Sequence, residues 1–164
     1  MESPTTDMAG PITQTASLRG AEELLVERDL LSNLQAAIED LAPGFAADDA
    51  GEPALKAVLR EYGWDETVVP VAAENQPRFD GVQDRVALEH EAREQMNARS
   101  HLLFLEAAYR ERAIDASVMV VPTRQHTGGA TFGRVLNETT GDGRLFTYHF
   151  PLFTPLYLVE YEPP

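Results

Sequence analysis

The chain contains no cysteine, which excludes disulfides, thiolate zinc sites and cysteine nucleophiles. Lysine is nearly absent too: every basic residue except Lys56 is an arginine. No apolar run approaches the roughly 20 residues that a membrane-spanning helix needs. The opening MESPTTDMAGPITQT lacks the basic start and apolar stretch of a secretory leader. A soluble, cytoplasmic protein with no membrane partner is therefore the expectation. What the chain has in quantity is acid. Over 164 residues, 27 Asp and Glu against 13 Lys and Arg leave a formal net charge of −14. A carboxylate-rich, Lys-poor surface stays hydrated in concentrated salt, where screening weakens its self-repulsion, so a halophilic setting is one reading. An ordinary acidic protein from a GC-rich genome, where Arg codons displace Lys, is the other. Hydrophobic residues make up 43%, enough to supply the core of one domain.

The charge is uneven along the chain. Residues 1–66 carry 14 acids against Arg19, Arg28, Lys56 and Arg60. Residues 78–144 carry 10 acids against 9 arginines and are close to neutral. The total charge argues against a nucleic-acid partner; the middle of the chain does not.

Residues 1–16, rich in Pro, Thr and Gly, read as a disordered tail. Residues 17–164 read as a single α/β domain, with a helical part over 17–62 and a core over 63–161. Leu24, Leu31, Leu34, Ile38 and Leu41 recur at helical spacing and predict one helix over 21–41. A second helix is expected over 53–62, with Gly63 as its terminator. A short strand follows at 67–71, then a loop over 73–81. Residues 85–91 alternate, Val86 and Leu88 facing one way, Ala87, Glu89 and Glu91 the other. A helix is expected over 96–112 and a buried strand over 117–122. A short helix over 132–138 and a last strand over 153–161 complete one central mixed sheet.

Three catalytic patterns fail. Thr127-Gly128-Gly129 has no Gly-Lys-Ser/Thr after it, so it is not a phosphate-binding loop. His90-Glu91 lacks the second His at position 94 that a zinc protease helix requires. No Gly-x-Ser-x-Gly elbow occurs. What remains is Asp80 and, nine positions on, Glu89, with Glu91 on the same strand face. One or two carboxylates suffice for Mg²⁺, which keeps several waters. Asp84 is a second candidate for the first carboxylate. The alternative is a solvated strand face, its acids paired with Arg85 or Arg93.

These pieces occur in an order. Gly63-Trp64, Asp80, Glu89-His90-Glu91, the run from Asn97 to Tyr109, and Ile114-Asp115 through Val121-Pro122-Thr123 come first; Thr131-Phe132 to Leu136 and Phe150-Pro151 to Leu158 close the set. The set resembles the BglII/BstYI group of type II restriction endonucleases, in the PD-(D/E)xK nuclease superfamily, over about residues 50–161. The resemblance implies a restriction-endonuclease-like central mixed β-sheet flanked by helices. It implies Mg²⁺-dependent hydrolysis of double-stranded DNA by a homodimer. Asp80 and Glu89 would be metal ligands. Glu91 stands where the superfamily has a catalytic Lys and this group has Gln, and would position the attacking water. Asp65 roughly matches a polar residue beside the site. Arg78, Arg124 and His126 would reach DNA, with an ion pair to a neighbouring acid as the alternative for each arginine. The stripe from Leu24 to Leu41 is the expected dimer interface, with packing on its own core as the alternative. Two competing functions stand beside the nuclease: a weak or inactive nuclease-fold binding protein, and a purely structural acidic domain.

Overall fold

A computed structural model of the chain describes residues 11–40, 51–71, 76–91, 95–123, 131–141 and 145–162. Strand β1 (Ile12–Leu18) leads into three helices, α1 (Ala21–Glu27), α2 (Leu30–Glu39) and α3 (Gly51–Glu61). Then come β2 (Asp65–Val68), β3 (Arg78–Gln83), β4 (Val86–His90), α4 (Gln95–Arg110), β5 (Ala116–Pro122) and α5 (Phe132–Thr140). A π-helical turn over Leu145–His149 precedes β6 (Leu156–Tyr161).

The six strands form one mixed sheet in the order β1-β6-β5-β4-β3-β2. β4, β5 and β6 run parallel, and β1, β2 and β3 add antiparallel edges. The expected central neighbours, residues 86–91 and 118–121, do pair, in parallel, with α4 as the crossover between them. Every residue of β4 and β5 is buried, as a parallel sheet covered on both faces requires.

Alternation along these strands builds two cores. Val86, Leu88, Val118, Val120 and Val159 pack with α1, α2 and Leu59 of α3. Ala87, Met119, Val121 and Leu158 pack on the opposite face with Ala98, Leu102, Leu105 and Ala108 of α4. The α4 stripe has helical spacing, and each buried Leu stabilises the fold by about 1.5–3 kcal/mol.

Several expectations are corrected. Residues 12–16 belong to β1 rather than to a tail: as an edge strand pairing antiparallel with β6, β1 needs only Ile12 buried, so its composition looks loop-like. Residues 1–10 lie outside the described residues. The single helix over 21–41 is two helices, broken where Asp29 takes a φ of 57°. Asp tolerates this left-handed region better than most residues. At the break Arg28 donates to the Asp84 carbonyl (2.7 Å) and to Asp115 Oδ2 (2.9 Å), tying it to the β3–β4 turn. The stripe proposed as an interface packs on the chain's own core: Leu34 and Ile38 are fully buried, Leu24 and Leu31 lie against them, and Leu41 is outside the described residues.

The loop expected over 73–81 contains the start of β3. Gly81 sits there because a Cβ would come within 2.9 Å of Trp64 Cβ. Trp64 is buried against this strand and donates its indole N–H to Asn33 Oδ1 (2.7 Å). Gly63 ends α3 with a φ of 91°, the left-handed terminator expected.

Candidate active site

The β3–β4 hairpin sets the site. Its loop is two residues, Asp84-Arg85, both with positive φ (47° and 62°), which is the turn whose twist matches the flanking strands. From it the ladder runs Gln83↔Val86, Val82↔Ala87, Gly81↔Leu88. One rung further, Asp80 comes level with Glu89. The nine-residue offset is therefore hairpin geometry, in which facing residues have Cβ atoms about 4.5–5.5 Å apart.

The Asp80 charge acts on the Glu89 carboxyl across this pair. Asp80 Oδ2 also accepts the backbone N–H of His90 at 2.8 Å. Asp80 Oδ1 lies 3.6 Å from Lys56 Nζ, and Lys56 is bound more closely to Glu66, at 2.7 Å. Lys56, and after it Arg78, hold Glu66 below the usual carboxylate range.

Glu91 follows β4 directly, and its N–H donates to the Val120 carbonyl at 2.8 Å. The extended backbone therefore carries Glu89 and Glu91 on one face, toward α4. That helix presents His101, beside the buried Leu102. His101 Nδ1 is hydrogen-bonded to the Glu91 carboxylate and stands 3.6 Å from Glu89 Oε2. Glu89 is 3% exposed and Glu91 1%. Burial, then the charges of Asp80 and Glu91, pushes Glu89 up to about 10. A nearby cation would favour its ionised form.

One ligand atom each from Glu89, Glu91 and His101 lie within 4.8 Å of one another. Divalent metal bonds of about 2.1 Å place ligands up to about 4 Å apart, so these donors fit one ion after a small contraction. Asp80 stands next to this group, with one oxygen committed to the His90 N–H.

His90 turns to the other face. Its Nε2 is 2.7 Å from the Tyr161 hydroxyl, and burial lowers its pKa to about 4. It acts there as a neutral packing residue.

Other candidates fall elsewhere. Asp84 is a turn residue, at the far end of the hairpin from Glu89, and its backbone carbonyl is held by Arg28. Asp65 is exposed on β2; its neighbour Glu66 is the acid that reaches Lys56. Arg78 is ion-paired with Glu66 at 3.1 Å while its side chain stays 65% exposed. Arg124 and His126 lie outside the described residues.

Two residues of this neighbourhood went unassigned in the sequence. His101 is ten positions beyond Glu91, inside a helix whose apolar spacing dominates its pattern. Lys56 is the chain's single lysine, and that rarity was its only signal.

No family model matches the chain, and no curated protein sequence matches it. Solved structures do match. One is restriction endonuclease BglII complexed with a DNA 16-mer, at a TM-score of 0.68 and 13% identity, covering 92% of this chain and 76% of that one. At that identity the likeness is one of architecture: the chain has a restriction-endonuclease-like fold, a mixed six-stranded sheet flanked by helices, with the carboxylates of β3 and β4 gathered at one place on it.

Proposed function

We propose that this chain is a divalent-metal-dependent endonuclease of the type II restriction kind, hydrolysing phosphodiester bonds in double-stranded DNA as a homodimer. The observation that carries the reading is that the β3–β4 hairpin sets Asp80 opposite Glu89, with Glu91 beside it, in a fold shared with a DNA-cutting enzyme. Asp80 and Glu89 would hold the ion, Mg²⁺ in the terms of the resemblance, with Glu91 close enough to Glu89 to join them. Asp80 also fixes the His90 backbone through that residue's N–H. A bound ion would lower the pKa of its water and stabilise charge developing on the phosphate. Glu91, buried and hydrogen-bonded to His101, would orient the attacking water. Lys56 brings a positive charge to Asp80 from α3, where position 91 supplies none.

On the DNA side, Arg78 can exchange the exposed end of its pair with Glu66 for a phosphate, and the resemblance adds Arg124 and His126 as DNA-contacting residues. The acidic remainder of the surface favours binding where salt screens it, although added salt also weakens each phosphate contact.

Supercoiled plasmid incubated with Mg²⁺ or Mn²⁺ over a salt series tests the proposal. Nicked or linear product from the wild type, and none from Glu89→Gln, is the expected result. A folded chain that retards DNA in a gel yet leaves it intact with every divalent ion would favour the second reading, a binding protein on a nuclease fold. The observation behind that alternative is Glu91, acidic and committed to His101 where the superfamily has a Lys.

A further inference from the structure

We propose that His101 makes this centre select divalent transition ions, Mn²⁺ among them, over Mg²⁺. This rests on the metal-dependent nuclease reading and adds a ligand and an ion preference to it. The donor set is two carboxylates and one imidazole nitrogen, brought within 4.8 Å by β4 and α4. Mg²⁺ favours oxygen ligands at near-octahedral geometry and sheds water reluctantly. An imidazole nitrogen shifts preference toward first-row transition ions.

The geometry makes His101 a better third ligand than Asp80. Asp80 spends one oxygen on the His90 N–H and faces Lys56 with the other. His101 directs Nδ1 between Glu91 and Glu89. Its position is set by the buried α4 stripe, in which Ala98, Leu102 and Leu105 fix the helix's rotation against the sheet. Its side chain is 36% exposed while those of the two glutamates are closed off, so the imidazole is the solvent-facing member of the set.

The experiment is calorimetric titration of the full chain with MnCl₂ and with MgCl₂, joined to electron spin echo spectroscopy of bound Mn²⁺. The wild type should bind Mn²⁺ at least about tenfold more tightly than Mg²⁺ and show coupling to a directly bound nitrogen. His101→Ala should abolish that coupling and bring the two affinities within about threefold. His101→Asn, which offers oxygen at the same place, should bind both ions almost equally and also lack the coupling; it carries the test if His101→Ala does not fold. Equal affinities in the wild type, or nitrogen coupling that survives both substitutions, overturns the proposal. Glu89→Gln separates the two levels. If it abolishes binding while the wild type shows no preference, the selectivity fails and the metal site stands. If neither ion binds the folded wild type, both fail.

Discussion

The carboxylate of Asp80 accepts the backbone N–H of His90, 2.8 Å across the hairpin, while its neighbour on the opposite strand is Glu89. One side chain therefore caps a strand end and crowds an acid. Asp80→Asn keeps an acceptor for the N–H and removes the charge. We expect thermal stability within about 1 kcal/mol of wild type, with DNA cleavage reduced at least about a hundredfold. Asp80→Ala orphans the N–H and should add a stability loss of about 1–3 kcal/mol. Paired melting curves and plasmid assays on the two variants separate the roles.

Gly81→Ala should destabilise the chain by about 1–3 kcal/mol, because its methyl group would meet Trp64 at 2.9 Å and the strand cannot retreat from β4. Trp64 is the only tryptophan and is buried, so urea unfolding followed by its fluorescence reads the effect directly. An unchanged midpoint would show that β3 moves to make room.

Leu34→Ala should cost about 2–5 kcal/mol without altering the association state, since Leu34 is fully buried in the chain's own core. Sedimentation at fixed protein concentration, with denaturation alongside, checks this. Loss of a dimer without loss of stability would restore the stripe as an interface.

Asp115 supplies a pH dependence. Hydrogen bonds from Arg85 first, and from Arg28, hold its carboxyl below the usual range. A folded-state pKa below the unfolded one means that the unfolded chain binds the proton more readily. The stabilisation is therefore complete above the ordinary Asp value near 4 and is lost as pH falls through the lower folded value. Asp115→Asn should lower stability at neutral pH and flatten the acid limb of the stability curve below pH ~4. Parallel acid limbs in the two proteins would remove the ion pairs from the account.

Much of the central sheet was legible because burial on both faces leaves a strong pattern: Ser117 to Pro122 could hardly be anything but an inner strand. The edges were not. β3 reads Arg-Phe-Asp-Gly-Val-Gln, and its Gly81 is small for the sake of Trp64, a residue far away in sequence. The break at Asp29 depends on backbone torsion and on Arg28 reaching Asp84 and Asp115, neither of which leaves a mark in local hydropathy. At the site, the Asp80–Glu89 offset was readable because a hairpin turns spacing into proximity. His101 was not, because only the parallel crossover brings α4 back over the strand that carries Glu91.

The two-residue turn at Asp84-Arg85 has a consequence that can be counted in parity. Side chains on a strand alternate, so one residue inserted between Gly81 and Asp84 would turn Asp80 to the opposite side of the sheet. Two residues would return it to the correct side, displaced by about 7 Å along the strand. Neither insertion would touch an acid of the site. The clamp that Arg28 places on the turn therefore acts at a distance as the zero mark of a ruler, against which the alignment of Asp80 with Glu89 is measured.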